Sequence, residues 1–328
     1  MVFKINFESS CSNSPKWIIY KTIAHRIHVG KGNKIYVLRP LIDHVSIVLR
    51  RDSAALKTPG FGMTPEEFWK DLPGLIQGYK NDSGDTTIKG IKAPTQYKVG
   101  LEMPLGGNKA TLRLFAKPTN EKAGPIRLEF NPRRFDADSP KKLLEWWGKL
   151  TAGQVQLIAL LQDARVTRVD VAVDVLNLPF HDLVVRSKKV RKTWSVASND
   201  ASVETLLFFK GKKAKGSPKR RADLQIYDKR KQRIAKDRQP KWGDTPHLRI
   251  EATARSPNGL WRNLPALKFP FSDFEFRRVP IGKGPQLNQL RTFADAGRFR
   301  GWQEALELVP EANQPEVKEA FEQMPQDL

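Results

Sequence analysis

A single cysteine, Cys11, stands in a chain of 328 residues. That excludes an intramolecular disulfide and suits a reducing compartment. The 5 histidines are scattered, and with one cysteine they leave no zinc module. His25 and His28 in "HRIH" are spaced i, i+3, but no further Cys or His clusters beside them. No apolar run is long enough to span a bilayer, and neither a signal peptide nor a lipidation motif is expected. Acidic residues are also short: 35 Asp and Glu face 57 Lys and Arg, a formal charge of +22. No fold needs that excess, so it points to a polyanionic partner. Without a membrane signal, nucleic acid is favoured over an acidic bilayer surface. Tyrosine is scarce as well, and Tyr227 is the only one after Tyr97.

What is present reads as alternating strands and helices. "IDHVSIVLR" (42–50) predicts a strand. "TPEEFWKDLPGLIQGYK" (64–80) predicts a helix, with Thr64 able to cap, Pro65 in the first turn, and Glu66 and Glu67 at its positive end. "PLGGNK" (104–109) predicts a turn between strands. "ATLRLFAK" and "PIRLEFNP" alternate apolar and polar residues with period two. "SPKKLLEWWGKL" and "GQVQLIALLQ" read as helical, with Trp146 and Trp147 in the core. "VTRVDVAVDV", "ETLLFFK", "ADLQIYDK" and "HLRIEATAR" are expected strands, and "HDLVVRSKKV" a short helix beginning near His181. Three short helices follow from 283. The expectation is an α+β protein of two related halves, each an antiparallel sheet packed on helices, plus a small C-terminal helical region. The boundaries fall at 1–150, 151–282 and 283–328.

The two halves carry a short repeat. "LRLFAK" (112–117) followed by "IRLEFNPRR" (126–134) matches "LQIYDK" (224–229) followed by "LRIEATAR" (248–255). Lys117 answers Lys229, Arg127 and Glu129 answer Arg249 and Glu251, and Phe115 stands where Tyr227 stands.

Side chains alternate sides along a strand. In 166–175, valines take one face, and Arg168, Asp170 and Asp174 the other. In 224–229, Leu224 and Ile226 oppose Gln225, Tyr227 and Lys229. In 247–255, His247, Arg249, Glu251, Thr253 and Arg255 share the polar face. If the strands share a sheet, that face has the parts for phosphodiester cleavage. It offers a phenol to attack phosphorus, carboxylates for Mg²⁺ or Mn²⁺, and cations for the charge that builds on the phosphoryl oxygens. Asp170 pairs best with Glu251 across strands, with Asp174 as a second choice. Lys229, Arg168 and Arg249 would hold phosphates or orient the carboxylates. Residues 210–241 add 14 Lys and Arg against 3 Asp and Glu. From that stretch and its neighbouring strand, Lys210, Lys212, Lys213, Lys219, Arg220, Arg221, Arg230, Lys231 and Arg255 are the expected DNA contacts. The same pattern also fits salt bridges on a solvated sheet face, and alternation alone leaves both readings open.

"TRVDVAVDV", "LQIYDKRKQ" and "HLRIEATAR", in that order and rough spacing, resemble the trans-acting rolling-circle replication initiators of small plasmids and filamentous phages. The similarity covers about 166–256, and "IDHVSI" and "IRLEFNP" extend it toward residue 42. It implies strand-specific nicking and rejoining of DNA at a replication origin through a 5′-phosphotyrosyl link on Tyr227, with 151–282 as the nicking half and 1–150, which carries Phe115 at the tyrosine's place, expected to bind DNA without cutting. The implied metal site falls on Asp170 and Glu251, with Asp174 as the second-choice ligand. The implied partners are origin DNA in single-stranded or hairpin form, a second copy of the chain, and a host helicase and polymerase, in a bacterial cytoplasm. Gln225 departs from the family's Arg, and His247 stands where a nearby Trp is usual, with Trp242 displaced. Gln232 meets the final E/Q position. A non-cutting origin-binding protein or repressor is the alternative. A tyrosine recombinase would need Arg–His–Arg ahead of a late helical tyrosine, an order absent here. A basic RNA-binding protein leaves the carboxylates without a role.

Overall fold

The computed structural model describes residues 24–27, 35–38, 40–57, 64–82, 88–106, 109–120, 123–151, 153, 155–187, 191–197, 203–210, 222–266, 270–279, 285–300 and 302–323. The strands of the first part are β1 (Ala24–Ile27), β2 (Ile35–Leu38), β3 (Leu41–Val48), β4 (Lys89–Gly90), β5 (Tyr97–Gly106), β6 (Ala110–Pro118) and β7 (Ile126–Phe130). Those that follow are β8 (Arg165–Leu176), β9 (Leu183–Ser187), β10 (Arg191–Ala197), β11 (Val203–Lys210), β12 (Leu224–Asp228), β13 (His247–Leu260) and β14 (Phe274–Arg278). The helices are α1 (Pro65–Asp82), α2 (Ser139–Leu150), α3 (Leu157–Gln162), α4 (Lys229–Ile234), α5 (Pro285–Arg300), α6 (Trp302–Glu307) and α7 (Gln314–Glu322).

The protein is α+β. Twelve strands form one antiparallel sheet, ordered β10-β11-β12-β13-β8-β3-β7-β6-β5-β4, with β1 on β2 and β2 on β8. The strands either side of residue 150 therefore share a single sheet, because β3 pairs directly with β8. Outward from that central pair the order is matched: β7, β6 and β5 on one side, β13, β12 and β11 on the other. Register is matched too. Phe115 lies opposite Arg127, and Leu114 opposite Leu128. Tyr227 lies opposite Arg249, and Ile226 opposite Ile250.

Alternation decides which face is dry. Val45, Ile47, Leu112, Leu114, Leu128, Val169, Val171, Val173, Leu224, Ile226 and Leu248 turn into one core, and α1, α2 and α3 contribute Trp69, Leu72, Trp147 and Leu160 to it. Helix α1 starts where its sequence predicts. The Thr64 N–H donates to Glu67 Oε2 at 2.7 Å, and the Glu67 N–H to Thr64 Oγ1 at 3.2 Å, a reciprocal capping box. Trp147 is 1 % exposed, and its indole N–H donates to the Val155 carbonyl at 2.9 Å.

One expected helix is a strand. His181 belongs to a short 3-10 turn, and Leu183–Ser187 then forms β9, paired with β14 in a separate two-stranded sheet. An unbroken Leu-Val-Val run fits an element buried on both faces. Leu183 and Val185 join the main core, while Val184 packs in a second one with Val279, Leu290, Phe293, Ala305, Val317 and Phe321. That second core seats the C-terminal helices. The Arg277 guanidinium fastens the last of them, donating to the Phe321 and Glu322 carbonyls at 2.7 Å each. These are carbonyls that a helix end leaves without partners. Among the described residues, no helix is long and apolar enough to cross a membrane.

Trp147→Ala removes both the largest fully buried side chain and its hydrogen bond. It should cost roughly 3–5 kcal/mol. Urea unfolding with an unchanged midpoint would contradict this placement of the core.

Candidate functional site

The polar face of β12, β13, β8 and β3 is built in rows set by register. Tyr227, Arg249 and Asp174 form one row across three strands. Gln225, Glu251 and Ala172 form the next. Thr253, Asp170 and His44 follow, then Arg255, Arg168 and Ser46. Sequence alternation placed the side chains of β8, β12 and β13 on one face but could not give the rows, and it did not place His44 or Ser46. Glu251 lies opposite Ala172, not Asp170, so the expected cross-strand carboxylate pair is a diagonal one.

Arg249 holds the centre and is only 1 % exposed. Its Nε donates to Asp174 Oδ1 at 2.7 Å and its Nη2 to Oδ2 at 2.8 Å, a bidentate pair. Its Nη1 reaches Asp43 Oδ2 at 3.5 Å. His247 Nε2 lies 3.1 Å from Asp174 Oδ1. Burial alone would raise the Asp174 carboxyl, but His247 and Arg249 hold it well below the ordinary range.

Tyr227 sits beside this pair. Its hydroxyl donates to Glu251 Oε2 at 3.4 Å and accepts from Lys229 Nζ at 3.4 Å. Lys229 is not the strand residue its alternation implied. Asp228 ends β12 and caps α4, accepting from the Lys231 N–H at 2.9 Å, so Lys229 opens a helix. Its ammonium still folds back over the Tyr227 ring, 5.1 Å from the centroid, and donates to Gln232 Oε1 at 2.7 Å.

Burial and crowding move all three groups, and the Tyr227 shift opposes loss of its proton. Burial pushes the Tyr227 phenol well above its ordinary value. Arg249 opposes the rise, while Glu251, Asp43 and Asp174 add to it. Burial, with Asp43 and Asp170 nearby, lifts Glu251 to about 7. Burial and Arg249 bring Lys229 down to about 8.

The other expected residues divide. Asp170 is gripped by Arg168, whose Nε donates to Oδ1 at 2.8 Å while Nη2 takes Oδ2. Arg255 pairs with Asp223 at 3.0 Å, and Arg230 with Asp244 at 2.5 Å. Lys231 lies on α4, and Lys210 closes β11. Lys212, Lys213, Lys219, Arg220 and Arg221 lie outside the described residues, as do Cys11 and His28.

Of the expected metal ligands, Asp170 and Asp174 are ion-paired with arginines and Glu251 accepts from the Tyr227 hydroxyl. Asp170 and Asp174 each give both oxygens to an arginine. Among the described residues, no three His, Cys, Asp or Glu groups converge as a metal site. Each carboxylate oxygen keeps a further lone pair, so these ion pairs do not exclude a divalent ion.

Asp43 and Arg133 escaped sequence reasoning. Ile42 pairs with Val171 and His44 with Asp170, so Asp43 is an extra residue that bulges from β3 toward Arg249. The signal was the adjacent polar pair Asp43-His44, which breaks the alternation of "LIDHVSI". Arg133 follows β7 in a 3-10 turn capped by Asn131, and its Nη1 lies 3.7 Å from Asp43 Oδ1. No family model matches the chain, and no curated protein matches it.

The Glu251 shift makes stability depend on pH. Between its ordinary value of 4.5 and about 7, the folded state keeps a proton that the unfolded chain has released. Stability therefore falls as pH rises through that window and levels above it. Glu251→Gln should lose that fall, read as the difference in melting temperature between about pH 5 and about pH 8. An equal difference in wild type and variant would contradict the raised carboxyl.

Proposed function

We propose that the protein is a rolling-circle replication initiator that nicks and rejoins DNA at an origin, with Tyr227 as the nucleophile. One observation carries this reading. The Tyr227 hydroxyl lies between a carboxylate able to take its proton near neutral pH and an ammonium able to hold the oxygen that results. Enzymes tune acids and bases to the operating pH in this way. The net charge of +22 supports a nucleic-acid partner. The ordered motif trio in β8, β12 and β13 supports the family.

In the proposed reaction, Glu251 accepts the phenol proton as Tyr227 attacks phosphorus. An O–P bond forms to the 5′-phosphate and the P–O3′ bond breaks. Glu251 returns its proton to the departing 3′-oxygen, leaving a 3′-OH to prime synthesis. Lys229 and Arg133 face the charge that grows on the phosphoryl oxygens. Arg249 fixes the row through Asp174. The target step is unpaired, in a single strand or extruded hairpin. A partner copy supplies the second tyrosine that closes the circle. The Mg²⁺ or Mn²⁺, host helicase and polymerase, and bacterial cytoplasm implied by the resemblance belong to the same proposal.

A second reading rests on one observation: Tyr227 is 5 % exposed. In a non-cutting origin-binding protein or repressor, the phenol would serve only as a buried hydrogen-bond donor.

The two readings diverge under substitution. Tyr227→Phe should abolish nicking of a supercoiled origin plasmid while DNA binding persists. A nicked product from that variant would falsify the mechanism. The wild-type rate should be bell-shaped, needing Glu251 ionised above about 7 and Lys229 protonated below about 8. Glu251→Gln should slow nicking by roughly 10²–10⁴-fold and remove the rise on the acid side. An unaltered pH profile would exclude Glu251 as the base.

A further inference from the structure

The first part of the sheet carries a counterpart of the tyrosine site with different chemistry. Arg127 lies opposite Phe115 and Val48, where Arg249 lies opposite Tyr227 and Asp174. The counterpart thus keeps a guanidinium and a glutamate, Glu129, but has Phe115 at the phenol's place and Val48 at the aspartate's; Tyr97, which also lines the cleft, donates its hydroxyl to the Gly124 carbonyl at 3.2 Å and does not stand in the row of Arg127. A cavity of about 420 Å³ opens there, with Arg127, Arg165, Arg168, Arg255 and Thr167 in its wall. A second cavity of about 480 Å³ shares Arg165 and adds Arg51 and the ion-paired Arg50 and Asp52.

Local structure explains why the arginines converge. Ser46 pairs with Arg168 but Ile47 pairs with Val166, so Thr167 is an extra residue in β8. That bulge brings polar side chains from neighbouring positions to one place. Thr167 Oγ1 lies 2.9 Å from Ser46 Oγ, which accepts from Arg127 Nε at 2.8 Å. Arg127 also pairs with Glu129 at 2.5 Å, and Arg168 and Arg255 have the aspartates described above. Arg165 is exposed and, among the described residues, has no acidic partner. The cleft therefore has an excess of guanidinium groups, the donors that match phosphate oxygens best.

We propose that this cleft binds a phosphodiester of single-stranded DNA and does not cut it. The proposal deepens the nicking reading and rests on it for the identity of the strand. Six residues of β13 separate Arg249 from Arg255, roughly 20 Å at strand rise. A strand lying along the polar face spans that gap with at most about six nucleotides at the rise of stacked DNA. The uncut phosphate would anchor the strand whose scissile phosphate meets Tyr227.

The test uses the full chain and a fluorescein-labelled single-stranded 20-mer, with anisotropy followed across a KCl series. Arg165→Ala should fold with an unchanged melting temperature, bind on the order of tenfold more weakly, and lose about 0.7 from the slope of log affinity against log salt. An unchanged slope in that variant overturns the cleft. Competition by millimolar AMP or inorganic phosphate, removing the Arg165-dependent part of binding, also overturns it, because the site is then one for free mononucleotide or phosphate. The two proposals fail separately. An Arg165-dependent slope with no covalent adduct sinks the nicking reading and keeps the cleft. An adduct with an Arg165-independent slope does the reverse.

Discussion

A guanidinium with almost no exposed surface has to be neutralised where it lies, and Arg249 is neutralised by Asp174. Removing either partner would leave a buried charge uncompensated, a loss typically of about 3–5 kcal/mol. The pair sits in the middle of a row, with Tyr227 on the neighbouring strand and Asp43 reaching in from the bulge in β3. Its field is felt throughout the site. Arg249 opposes the rise of the Tyr227 phenol and helps depress Lys229 and Arg133. Glu251, one row away, is left as the carboxylate that hydrogen-bonds the phenol. The chemistry proposed for Tyr227 thus depends on an ion pair that does not itself meet the reacting atoms.

Much of this face was legible in the chain, because strand periodicity is exact and the strands are long. Arg168, Asp170, Asp174, Tyr227, Arg249 and Glu251 were all placed on the polar side by alternation alone. The valines and leucines between them were placed in the core by the same rule. Register was not legible, since nothing in a single strand says which residue of its neighbour lies opposite. That is why Glu251 was matched with Asp170 when it lies opposite Ala172. Bulges defeat alternation locally, which hid Asp43. Lys229 was misread because an aspartate that can continue a strand can equally cap a helix, and Asp228 does the second. The Leu-Val-Val run of β9 carries no periodicity on its own, and only the second core beyond it shows why both of its faces are apolar.

The match between the flanks of the β3–β8 pair gives the odd tyrosine a context. The register of β6 on β7 repeats that of β12 on β13 position for position, with Phe115 at the place of Tyr227 and Val48 at the place of Asp174. In the proposals above, that exchange of a phenol and a carboxylate, with arginines kept, is what separates gripping a phosphate from attacking it. Under the two proposals, the basic excess of the chain has two destinations on one polar face, and a single strand would visit both.

The proposed role of Tyr227 as nucleophile is tested most directly by incubating the protein with single-stranded oligonucleotides tiling the DNA around its own coding region, with Mn²⁺ present. Proteolysis and mass mapping of any adduct then locate the modified residue. The proposed function predicts one oligonucleotide whose 5′-phosphate is carried by the peptide containing Tyr227. An adduct mapped to another residue, or none from any oligonucleotide that the protein binds, would contradict it.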